Sequence, residues 1–176
     1  MRNSNILRAF IIVIVWIAIG KTHAQTIDES LELMVSVAKQ ELNAPPPSQF
    51  DPLALNAKLV WSENREQVAV VMKVSLLTDW HVYAAVSRKS PFIATKVKLI
   101  LPDEGFTPLG EWEEPIAESY DEEASVYKGE ELFFVRYFEV DKDSKADDKL
   151  KCGLYYQACD PNKCFPPKTK MVDLIK

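Results

Sequence analysis

The chain has 176 residues, with 21 Lys and Arg against 26 Asp and Glu. Arg2, Arg8 and Lys21 fall within the first 24 positions, so the remainder carries 18 basic and 26 acidic groups, a net charge of −8. Such a surface repels phosphate backbones and argues against a nucleic-acid partner. With His23 in the same leading segment, His81 is the one remaining histidine, which weakens histidine-based triads and most zinc sites.

The leading segment reads as a secretory signal peptide over 1–24. Arg2 and Arg8 give a basic start, 9–20 is apolar, and Thr22-His23-Ala24 supplies small residues before a cut ahead of Gln25. The alternative is an uncleaved anchor, but that apolar run is short against the ~20 residues that span a bilayer. The expected contact with the membrane is therefore export alone. Roughly 150 residues remain, enough for one domain with a real core.

Thr26-Ile27-Asp28-Glu29 has the form of a capping box, with Thr26 as cap. Ile27, Leu31, Met34, Val35, Ala38 and Leu42 follow helical spacing, which predicts a helix over 27–42, packed or held as a loose tail. Pro45-Pro46-Pro47 and Pro52 then make a stiff linker, so 25–52 is expected to be a helix plus linker ahead of a domain at 53–176.

Beyond residue 52 the period becomes two. Val68, Val70, Met72, Val74 and Leu76 alternate over 67–77, and 55–61, 82–84, 96–101, 131–140, 149–157 and 171–175 are also predicted to be extended. The charged run 141–148 is expected to be a solvated hairpin loop. Short strands separated by turn signals predict an all-β chain folded as a β-sandwich. No internal repeat is present, and no glycine-rich phosphate loop exists among five glycines.

The three cysteines lie in the last 25 residues. In Cys159-Asp160-Pro161-Asn162-Lys163-Cys164, Pro161 suits the second position of a tight turn, and Asp160 and Asn162 suit its neighbours. Cross-strand Cα separations of ~4.5–5.5 Å then permit a disulfide between Cys159 and Cys164. A loop this short adds little stability by cross-linking, and short exposed bridges stay reducible. Pro166 and Pro167 place Cys164 near a sheet edge, and Lys163, Lys168 and Lys170 are expected to favour its thiolate. A structural clip and a redox pair both fit these features. By strand parity Cys152 shares a face with Leu150 and Leu154, opposite Cys159, and reads as a buried thiol or alternatively a resolving one.

Tyr156-Gln157-Ala158-Cys159 followed by Cys164-Phe165-Pro166-Pro167 resembles the active-site hairpin of the amino-terminal domain of DsbD-type thiol:disulfide interchange proteins, the "disulfide bond corrector" family. Trp80-His81-Val82-Tyr83 resembles that family's Trp-His-Ile-Tyr strand. Val126-Tyr127-Lys128-Gly129 with Leu132-Phe133-Phe134 resembles its middle strand pair. The similarity spans roughly 54–176. It implies an immunoglobulin-like sandwich in the periplasm, a monomer that relays electrons between a thioredoxin-like donor and partner proteins without a cofactor. Cys164 takes the role of attacking thiol and Cys159 that of resolving thiol. Tyr120, in Glu118-Ser119-Tyr120-Asp121-Glu122, takes the place of the aromatic residue of a cap loop over the sulfurs, with Glu118 and Asp121 beside it. His81, Tyr83, Gln157 and Pro166 are expected near the site. The family's membrane conduit and carboxy-terminal thioredoxin-like domain have no counterpart in this sequence, and neither has 27–52 in the family.

Two other classes compete. One is an immunoglobulin-like binding module whose hairpin bridge is only structural. The other is metal binding by Cys159, Cys164 and His81, which falls short of a closed zinc site.

Overall fold

The computed structural model describes residues 26–102, 104–141 and 150–174. The leader and the loop expected at 141–148 lie outside them, except for Asp141. The elements in chain order are α1 (Glu29–Glu41), β1 (Leu53–Trp61), β2 (Gln67–Leu76), β3 (His81–Val86), β4 (Lys96–Ile100) and β5 (Phe106–Glu113). They continue as β6 (Glu118–Ser119), β7 (Ala124–Lys128), β8 (Leu132–Val140), β9 (Lys151–Tyr156), β10 (Ala158–Cys159) and β11 (Lys168–Asp173). The all-β, immunoglobulin-like sandwich with a short amino-terminal helix is what the chain forms. Among the described residues no helix is long and apolar enough to cross a membrane.

The strands pair antiparallel in three sheets, ordered β1-β2-β8-β5, β10-β3-β7-β6 and β11-β9-β4. Alternation decides what each face of the first sheet meets. Leu53, Leu55, Val68, Val70, Met72, Phe134 and Phe138 join Val82, Tyr127, Cys152, Leu154 and Tyr156 of the other two sheets in one core. The opposite face, with Val60, Ala69, Val71, Val135 and Tyr137, is covered by Leu31, Val35, Ala38 and Leu42 of the helix and its end. The central strand β2 is therefore buried on both faces from Val68 to Leu76, which is why its alternate positions begin as Ala69 and Val71 rather than polar residues. Lys73 and Ser75, also buried, satisfy themselves on the next turn: Lys73 pairs with Glu131 at 2.9 Å, and the Ser75 hydroxyl donates to the Glu130 carbonyl at 2.6 Å.

The helix is thus packed, and its cap differs from expectation. Asp28, not Thr26, caps it, accepting from the Ser30 and Leu31 amides at 2.8 and 3.4 Å. Thr26 is used otherwise: its carbonyl accepts from the Gln67 side chain, which in turn accepts from the Asp28 amide. One β2 glutamine so ties the helix start to the sheet.

Two further departures have physical causes. β5 carries Pro108 and a left-handed Gly110 (φ 77°) and slips register between Leu109 and Glu113. It tolerates these at the sheet edge, where a missing amide costs nothing, and its mostly exposed residues hide the alternation that would have revealed it. The second departure concerns the segment leading to Cys159. It is not one strand: β9 ends at Tyr156 in the third sheet, and after Gln157 the chain resumes as β10 in the second.

Candidate functional site

The hairpin is built by its own turn chemistry. The Asp160 carboxylate accepts from the Asn162 and Lys163 amides at 2.8 and 2.9 Å, and the Asp160 amide donates to the Lys163 carbonyl at 2.9 Å. Beyond the turn the Phe165 amide donates to the Ala158 carbonyl at 2.9 Å, and its ring stacks on buried Trp80 at 5.0 Å. The Lys163 ammonium lies over both rings. This closes the expected disulfide between Cys159 and Cys164, whose Cα atoms are 4.0 Å apart.

The two sulfur-bearing residues have unlike surroundings. Cys159 is 1 % exposed and packs with Tyr83 and Val126, whereas Cys164 is exposed. The third cysteine is elsewhere: Cys152 is fully buried in the main core, its thiol 3.8 Å from the Met72 sulfur, and burial pushes that thiol up to about 12.

Strand register sets the neighbours of Cys159. It pairs with His81 on β3, and His81 pairs with Lys128 on β7. On the other side Cys159 faces Cys164 across an isolated antiparallel bridge. Residues directly opposite in antiparallel pairs share a face, so Lys128, His81, Cys159 and Cys164 form one row. His81 is 4 % exposed, and its Nε2 is buried without a hydrogen-bond partner among the described residues. Burial, and then the Lys128 charge, hold its pKa below the usual histidine value against the opposing pull of Asp160.

Aromatic rings close over this row. Tyr120, 44 % exposed, lies 4.9 Å from the His81 ring and 5.7 Å from Tyr83, and Phe92 stacks on Tyr83 at 4.5 Å. The Tyr120 amide donates to the Ala124 carbonyl at 3.0 Å, which turns its segment back from β6 into β7. Glu118 forms a 3.6 Å ion pair with Lys128, and Asp121 accepts from the Glu123 amide within the turn. Burial, then Tyr120 and Asp121, push the Tyr83 hydroxyl up to about 12. Gln157 accepts from the Ile93 amide at 3.1 Å, and Pro166 is exposed.

The structure therefore brings together Cys159, Cys164, His81, Tyr83 and Tyr120, with Glu118 and Asp121 at the rim. It gives different work to two lysines expected to act on Cys164. Lys168 and Lys170 both bind Asp51, clamping β11 to the start of β1. Phe92 is a site neighbour that no sequence feature singled out, and Lys128 and Trp80, though part of the motifs above, were not expected at the site. A hydrophobic ring in a loop and a lysine at a strand end carry no signal until topology folds them onto the cysteines. A cavity of about 540 Å³, lined by Thr78, Asp79, Trp80, His81, Tyr120, Lys128 and Pro161 among others, opens beside the hairpin. Among the described residues no group of three or more His, Cys, Asp or Glu side chains is placed to hold a metal ion.

No family model and no curated protein matches the chain. Among solved structures, the N-terminal periplasmic domain of ScsB from Proteus mirabilis superposes with a TM-score of 0.52 at 17% identity, over 75% of this chain and 49% of that one. The chain thus spans about half the length of the ScsB chain it matches. Looser overlaps are found with the GAE domain of GGA2p from Saccharomyces cerevisiae (TM-score 0.41, 10% identity, 76% of this chain, 96% of that one) and with the reduced DsbD N-terminal domain of Neisseria meningitidis (0.33, 19%, 79% and 93%). The fold is therefore shared with the N-terminal periplasmic domain of ScsB.

Proposed function

We propose that the protein is a periplasmic thiol:disulfide exchanger, with Cys164 attacking and Cys159 resolving. The observation that carries this reading is the unequal burial of the bridged pair. Exchange proceeds by attack of a thiolate on one sulfur of a disulfide, and Cys164 is the exposed end while Cys159 is 1 % exposed. A reduced donor therefore attacks at Cys164, and the mixed disulfide forms there. Cys159 leaves with the electron pair, and the donor's second thiol then frees Cys164, so that the donor departs oxidised and the pair is a dithiol. Cys164 next attacks an acceptor disulfide, and Cys159 displaces the acceptor as a thiol, restoring the Cys159–Cys164 bond. The hairpin motif's resemblance to DsbD-type proteins supports thioredoxin-like donors and thiol-protein acceptors, working without a cofactor. The leader and the ScsB fold, described for that protein as periplasmic, support the location.

The test is trapping. The probe is a thioredoxin-like protein whose second active-site cysteine is replaced by Ser and whose first is carried as a disulfide with thionitrobenzoate. Mixed with it, the reduced Cys159→Ser variant is expected to displace thionitrobenzoate and accumulate a mixed disulfide on Cys164. The Cys164→Ser variant is expected to give at least ~10-fold less, because a pair's attacking and resolving thiols are not interchangeable. Equal trapping by both, read on a non-reducing gel, would sink the assignment of roles. The competing reading, a structural clip on a binding module, requires a reduction potential below about −300 mV.

A further inference from the structure

The resolving step poses a chemical difficulty that the row across the second sheet answers. Cys159 is buried among Tyr83, Val126 and partly buried Val86, Phe92 and Ala124. An apolar setting disfavours a thiolate, yet the thiolate is the form that must attack the mixed disulfide. A thiol so placed needs a base within reach. Its cross-strand neighbour is His81, whose Nε2 is buried and has no hydrogen-bond partner among the described residues. An unpaired buried ring nitrogen is costly to leave unsatisfied. It is explained if the nitrogen is kept for a proton that arrives only during turnover.

Resting on the exchange function proposed above, we infer that His81 is the base that deprotonates Cys159 in the resolving step, and the acid that returns the proton in reverse. The step balances. The Cys159 S–H proton passes to the imidazole, and the Cys159 sulfur attacks the Cys164 sulfur of the Cys164–partner disulfide. The Cys159–Cys164 bond forms, the Cys164–partner bond breaks, and the electron pair leaves on the partner's sulfur. The partner leaves as a thiolate, the cysteine pair is oxidised, and the imidazolium releases its proton to that thiolate or to water. The groups around His81 fit a base. Burial, and then Lys128 on β7, hold the imidazole's pKa below its ordinary value, opposed by Asp160 of the turn, and Tyr83 and Tyr120 pack against the ring. Glu118 engages Lys128, and Asp121 lies at the rim beyond Tyr83.

The experiment uses the reduced protein and an aromatic disulfide such as dithiobis(nitrobenzoate). A first release of chromophore reports Cys164 attack, and a second reports resolution by Cys159. His81→Gln is expected to leave the first phase unchanged and to slow the second about 100-fold at pH 7, within the ~10²–10⁴ that general bases contribute. The gap should narrow as pH rises above ~9, where hydroxide ionises the thiol directly, and close again in acid as wild-type His81 is protonated. A slowing by one constant factor at every pH would mean a structural role and overturn the inference. Absence of both phases in wild type would instead sink the exchange function. If His81→Gln does not fold, wild type alone decides. Its second phase must fall in acid along the titration of the His81 imidazole followed by NMR, and a second phase indifferent to that titration rejects the base.

Discussion

At the scale of single residues, three cysteines close in sequence have three different fates, and burial separates them. Cys164 is exposed and Cys159 is enclosed but bridged, while Cys152 is fully buried beside Met72. With its thiol pushed up to about 12, roughly 10⁻⁴ of Cys152 is thiolate at pH 8. In the reduced native protein an alkylating reagent should therefore modify Cys164 first and leave Cys152 untouched until denaturant is added. Mass spectrometry of the labelled peptides checks the order, and early labelling of Cys152 would contradict the packing described. The parity of Leu150, Cys152 and Leu154 made this legible in the sequence. The turn around Pro161 was legible for a similar reason, since Asp160 bonds to amides two and three positions along.

Among the elements, the helix shows where local pattern stops. Its apolar stripe was readable, but whether it covered anything was not, because its partners Val60, Ala69, Val71 and Tyr137 lie on three strands distant in sequence. The same holds for Phe92 on Tyr83 and for Phe165 on Trp80, contacts that no window of sequence contains. Leu31 is fully buried under the helix, so Leu31→Ala is expected to cost about 2–5 kcal/mol. Loss of the cap in Asp28→Ala is expected to cost about 1 kcal/mol. Urea denaturation measures both. Since the helix covers the face of the first sheet away from the cysteines, neither change should alter the rate of disulfide exchange once folded protein is compared.

For the whole molecule, the third sheet depends on the pairing of β9 with β11, in which Gly153 stands opposite Met171. A Cβ there would lie 1.9 Å from the Lys170 carbonyl oxygen and 2.8 Å from the Met171 Cα, both backbone atoms. Neither can swing aside as a side chain would. Gly153→Ala should force β11 off β9 and destabilise the fold by at least ~2 kcal/mol, toward the upper part of the overpacking range. It should also loosen the Asp51 clamp on Lys168 and Lys170. A denaturation midpoint unchanged by this variant would show that the two strands can separate freely.

The sheet change at Gln157 gives the hairpin a particular mechanical character. β9 is anchored in the core by Cys152, Leu154 and Tyr156, and Gln157 holds the Ile93 amide as the chain crosses over. The returning limb is fixed independently, by Phe165 on Trp80 and by the Asp160 turn. Both ends of the loop are thus clamped by contacts that do not involve sulfur. Opening the bond would leave the two thiols facing each other in an unchanged frame. The hairpin would then behave as a battery terminal rather than a latch: its charge state would alter without its outline moving. A partner that tells the loaded form from the spent one would have to read the sulfurs themselves, past Tyr120 where it lies on His81 and Tyr83.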